Sequence, residues 1–173
     1  MNILTLLVLI LFSALTAGDN PSTDMNTIRQ EYIEAVNSDN KTDELLKKLS
    51  KTAGTEPLLI AYKGATEALK AKHAFNPYTK LSYLKKSNES LQQAIQLRPQ
   101  DVEIRFLRFS IQHYLPAFLR SDKELQEDKS VIIEHLKDEG LEKPLRQSIG
   151  KFMLESGRCT AQEVKQVKIA LES

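Results

Sequence analysis

The chain reads as an all-α protein of seven or eight short helices, each packed antiparallel to its neighbours. Three observations predict this. Apolar residues recur at spacings of three and four along most of the chain, the period of one helix face, and alternating β-branched runs are missing. Tight polar breaks carrying helix-starting and helix-stopping residues separate the periodic stretches, so successive helices must fold back on one another. The six glycines and six prolines are few, and most stand at those breaks.

A first helix is expected over 22–37, started by Ser22 or Thr23, with Ile28, Tyr32, Ile33 and Val36 on one stripe. Thr42 is placed to cap a short second helix; Asp43 and Glu44 in its first turn favour the dipole, and Leu45, Leu46 and Leu49 form its buried side. Gly54 and Pro57 punctuate before a longer helix over 58–74. On it Ala61, Gly64, Ala65, Ala68 and Ala71 make a band of small residues that admits a neighbour closely. Asn76 and Pro77 cap and open the next helix, which carries Leu81, Leu84, Leu91, Ala94 and Ile95 to about Leu97, where Pro99 stops it.

Asp101 caps the helix expected over 102–114, VEIRFLRFSIQHY. Val102, Phe106 and Phe109 project to one side of it, and Ile104, Leu107, Ile111, Tyr114 and Leu115 to the other, the pattern of a helix sandwiched between neighbours. Arg105, Arg108 and Gln112 share its narrow polar strip, and Pro116 ends it. Ser121 with Glu124, and Thr160 with Glu163, have the spacing of capping boxes. Helices are expected after them over 122–137 and 161–171, and between them over 144–155, with stops at Gly140 and Gly157; the last presents Val164, Val167, Ile169 and Leu171.

Ahead of all this, residues 3–15 (ILTLLVLILFSAL) are apolar and uncharged, and small residues follow at 16–18. That is the pattern of a secretory leader, here expected to be cut after Gly18. At about 1.5 Å per residue the run is roughly 20 Å long, short of a membrane span, so no stable span is expected once the leader is removed. The expected organisation is a signal peptide over 1–18 and one helical domain over 19–173, in the periplasm or outside the cell. Lysine and arginine number 24 against 23 acidic residues, interspersed along the chain, so neither a nucleic-acid footprint nor a polybasic membrane helix is indicated. One cysteine, Cys159, excludes an internal disulfide and leaves stability to packing.

Little in the residues points to catalysis. His73, His113 and His135 share no ligand spacing with one another or with the cysteine, and His135 with Asp138 makes too few ligands for a metal. Cys159 lies beside Arg158 and just before a helix start, both of which favour a thiolate, yet no base or oxyanion donor accompanies it, and a plain half-buried thiol is expected. Glu124, Glu127, Asp128, Glu134, Asp138 and Glu139 alternate with lysines in the manner of a solvated helix face. No phosphate loop, nucleophile elbow or zinc-protease motif is present. Neither enzyme activity, nor a cofactor, nor a metal is expected. Arg105, Arg108 and Gln112 are the candidate binding residues: arginines on an otherwise apolar helix must reach solvent, pair internally with carboxylates such as Glu89, Asp101 or Asp122, or meet an anionic ligand or peptide carboxylate.

Ser87, Leu91, Ala94, Pro99 and Asp101 follow the order in which a small residue, a large apolar one, alanine, a helix-ending proline and a polar cap recur in the tetratricopeptide repeat. The stretch 57–115 resembles that family, with Gly64 standing for the glycine where the two helices of a repeat cross. The match requires an insertion of about eleven residues relative to the family's roughly 34-residue period, around 73–80, and Phe109 stands where the next repeat would want a small residue. The resemblance implies a right-handed antiparallel helix-hairpin array, and a compact bundle is the alternative. The segment PQDVEIRFLRFSIQHYLPAFL is also similar to one in small exported bacterial proteins of unassigned function, and implies no activity. Two functional readings follow: an interaction module that binds an envelope protein or a peptide in a groove, or a carrier holding a small apolar or anionic ligand between helices among Tyr62, Phe106, Phe109, Tyr114 and Phe118.

Overall fold

Local signals start each helix of the computed structural model, which describes residues 24–172. Eight α-helices run through them: α1 (Met25–Ala35), α2 (Asp39–Thr52), α3 (Pro57–His73), α4 (Pro77–Leu97), α5 (Val102–Tyr114), α6 (Asp122–His135), α7 (Lys143–Glu155) and α8 (Ala161–Glu172). No strand occurs among the described residues. The apolar run over 3–15, the expected cut after Gly18, and Ser22 and Thr23 lie outside them.

Asp24 caps α1, its carboxylate accepting from the Asn26 and Thr27 amides at 3.2 Å. Ser38 rather than Thr42 starts α2: its hydroxyl accepts from the Lys41 amide, and the helix begins one turn earlier than the sequence suggested. Thr42 is instead buried, its hydroxyl donating to the Ser38 and Ala35 carbonyls at 2.8 and 2.9 Å, which ties α2 to the end of α1. Asn76 and Asp101 cap α4 and α5 as expected.

The Thr160–Glu163 box closes in both directions at 2.6 and 3.3 Å. The Ser121 box closes in one only. Ser121 accepts from the Glu124 amide, but its own amide donates to Gln112 Oε1, because the Glu124 carboxylate is drawn to Arg108.

Two apolar clusters lie on either side of α5. Ile104 and Leu107 pack with Ile28, Leu45, Leu49, Ile60 and Leu91 of α1–α4. Val102 and Phe109 pack with Leu125, Ile132, Ile149, Met153 and Val167 of α6–α8. The two-sided pattern of α5 is therefore realised as a wall shared by both cores. Tyr114 departs from it and is exposed, as are Ile33 and Ile169, which point away from the one side that α1 and α8 bury.

The small-residue band on α3 admits α4. A Cβ added at Gly64 would stand 2.9 Å from Leu91 Cγ and 3.1 Å from the Leu91 backbone nitrogen. Odd-numbered helices also meet in sequence, α1 on α3 and α3 on α5, while each is paired with the helix that follows it. No helix among the described residues is long and apolar enough to cross a membrane.

Candidate interaction groove and the buried arginine strip

The polar strip of α5 turns inward. Arg108 is only 2% exposed, and Asp128 on α6 is fully buried. Arg108 donates through Nε and Nη2 to the two Asp128 oxygens at 2.7 and 2.8 Å, a bidentate pairing, and through Nη1 to Gln92 and Glu124 at 2.9 and 3.2 Å. Arg105 donates to Asp128 at 2.8 Å and to the Pro99 carbonyl at 2.7 Å. Gln112 donates to Glu124 at 3.1 Å. Burial works against the charge on Arg108, but Asp128 and then Glu124 outweigh it and hold the guanidinium protonated.

The carboxylates suggested by sequence spacing are engaged elsewhere: Asp101 caps α5, Asp122 pairs with Arg120, and Glu89 lies near Lys85. Arg105 and Arg108 do line a cleft of about 410 Å³ toward α6, but Glu124 and Glu127 line it too, so an anion there would meet carboxylates as readily as guanidinium groups. The strip fastens α4, α5 and α6 together.

Glu103, also on α5, forms a second buried junction. It accepts from Arg29 Nε and Nη2 at 2.7 Å each and from the Tyr62 hydroxyl at 2.7 Å. Arg29 reaches on to Glu142 at the start of α7, so one cluster links α1, α3, α5 and α7. Desolvation, then the neighbouring Glu103 charge, pushes the Tyr62 hydroxyl well above its usual range, and burial pushes Tyr32 up to about 12.

The other chemistry-bearing residues are dispersed. Burial, then Glu163, raises the Cys159 thiol rather than favouring a thiolate, and the sulfur donates weakly to the Met153 carbonyl at 3.5 Å. The Arg158 guanidinium that sequence placed beside it is turned to His113 instead, its Nε donating to Nδ1 at 2.9 Å. His135 faces Asp138. No group of three or more potential metal ligands gathers among the described residues. The five aromatics of the carrier reading are also split: Tyr62 belongs to the first core, Phe109 and Phe106 to the second, and Phe118 and Tyr114 are exposed.

A groove of about 310 Å³ also opens to the surface between the first half of α4 and the end of α5. Leu81, Leu84 and Leu91 line one wall, Ile111 and Leu115 the other, and Leu119 of the following loop borders it. Arg108, Gln112 and Glu124 close its inner end, already bonded to one another.

The groove exists because α4 is 21 residues long and α5 only 13, so α4 runs on past the point where α5 has turned away. Leu81, one of the apolar residues that the sequence places along α4, is 50% exposed. The sequence groups Asp128 with the carboxylates of a solvated face. The signal against that is its place on the buried stripe of Leu125, Ile132 and Leu136. Compared with known protein families, curated proteins and solved structures, the chain matches none of them.

Proposed function

We propose that this protein is an exported, non-catalytic helical interaction module that binds a segment of another protein in the groove between α4 and α5. The observation that carries this reading is the leucine-lined groove itself, open to solvent while the buried charges Glu67, Glu103, Arg108, Asp128 and Lys129 are internally paired. Apolar side chains that a chain leaves exposed together mark a surface that another molecule covers. The succession of antiparallel hairpins, α1–α2, α3–α4 and α5–α6, with α1, α3 and α5 in contact, supports a tetratricopeptide-like arrangement, as does the glycine at the α3–α4 crossing. Export rests on the apolar run over 3–15, and the amino terminus of the released form should be Asp19.

Affinity capture from the native host tests the groove. A Leu81→Glu/Leu115→Glu variant should lose partners that the unaltered protein retains, while keeping its helical circular dichroism, since neither residue is fully buried. Retention of the same partners by that variant would remove the groove from the account.

A further inference from the structure

Residues 75–82 are exposed without a break, so the beginning of α4 projects from the body of the molecule. Phe75 in the turn before α4 and Tyr78 and Leu81 on its first turns are exposed, Tyr78 and Leu81 lie three apart on the helix, and Leu81 lines the groove. Charge along this segment is one-sided, despite the balance of the whole chain. Five lysines and no carboxylate occur over 68–88. Lys70 is held by Asp39 and Asp43, and Lys72 donates to the Val36 carbonyl. Lys80 and Lys85 remain beside the groove, with Lys85 only loosely near Glu89 at 3.8 Å, while Lys86 lies over the Tyr83 ring on the other side of the helix.

We infer that the groove takes an acidic amphipathic helix of a partner protein, an inference that rests on the interaction reading above. The helix lays its apolar side on Tyr78, Leu81 and the leucine floor, and its carboxylates face Lys80 and Lys85. Shape and charge select this occupant. A helix lying between two helices presents anchors at i, i+3, i+4 and i+7, which a two-walled groove accepts. A flat anionic bilayer would touch the projecting aromatics but not Ile111 and Leu115 on the opposite wall. A second copy docked through the same face would set lysines against lysines. The stretch 75–88 is roughly 20 Å long at 1.5 Å per residue, the length of a helix of three to four turns.

The test titrates the full-length, isotope-labelled chain with two synthetic helical peptides that share leucine spacing, one with glutamate and one with lysine at every polar position. Anionic phosphatidylglycerol vesicles form a third arm. The glutamate peptide should shift amides over 75–91 and 111–121 and bind at least about tenfold more tightly than the lysine peptide. Lys80→Glu/Lys85→Glu, two surface changes, should invert that preference. Equal binding, or a preference for the lysine peptide, overturns the acidic partner and leaves the groove reading standing. Failure of both peptides to shift those amides overturns the two together. Vesicles that reproduce the shifts while the glutamate peptide does not would assign the surface to a membrane and overturn the inference.

Discussion

The Asp128 carboxylate, wholly removed from solvent, is shared by Arg105 and Arg108, and among the described residues no other carboxylate accepts from both. Replacing it with alanine leaves the buried Arg108 guanidinium and the half-buried Arg105 guanidinium without their main counter-charge. Asp128→Ala should therefore cost about 3–5 kcal/mol in urea unfolding, whereas Asp122→Ala, on an exposed pair, should stay within about 0.5 kcal/mol. A small effect at Asp128 would mean that the strip is open to solvent and free for a ligand. Sequence showed that the arginines needed an answer but not which acid supplies it, since partner choice depends on how α6 lies against α5. His113 carries a pH signature of its own. Burial, then the Arg158 and Arg120 charges, push its imidazole below the usual 6.5, and its Nδ1 accepts from Arg158, which the protonated ring cannot do. The folded chain thus takes up this proton less readily than the unfolded one. The neutral ring's contribution is complete above pH 6.5 and is lost as pH falls below that value through the folded-state pKa. His113→Gln should flatten the dependence of the urea midpoint on pH in that window, and an unchanged slope would contradict the assignment.

Among elements, the α3–α4 crossing sets the tightest demand. Gly64 has Leu91 Cγ, Ser90 Cβ and the Leu91 backbone nitrogen within about 3 Å of where a Cβ would stand, and the backbone atom cannot move without moving α4. Gly64→Ala should destabilise by about 1–3 kcal/mol despite alanine's better helix propensity. Gly150→Ala first meets the Leu171 side chain, near the end of α8, which can move more easily than backbone, and should cost less. Thermal unfolding of the two variants checks the order, and a stabilised Gly64→Ala would mean that the helices cross further apart. The glycine at 64 was legible because alanines flank it at helical spacing, whereas Gly150 has no such band and only the docking of α8 reveals its role. Helix starts were legible to about a turn. Ser38 and Thr42 are both good caps, and what decides between them is the burial of Thr42 against the Ala35 carbonyl.

For the molecule as a whole, α5 is the organising element, and its sequence said so. Apolar residues on two sides of VEIRFLRFSIQHY can be buried only by placing one core on each side, and both cores are present. Glu103 and Arg108 then tie that wall to helices before and after it. The groove was not legible, because it arises from the unequal lengths of α4 and α5 and from where the loop after Tyr114 turns, neither of which periodicity encodes. Its leucines carry the same spacing as core leucines and differ only in what stands opposite them. Site-specific photo-crosslinking in the native host tests the central claim, that this groove is the working surface, most directly. A photoreactive residue at position 81 should yield a discrete crosslinked species, and one at position 165, on the exposed side of α8, should yield none. Crosslinks from both positions alike, or from 165 alone, would contradict it.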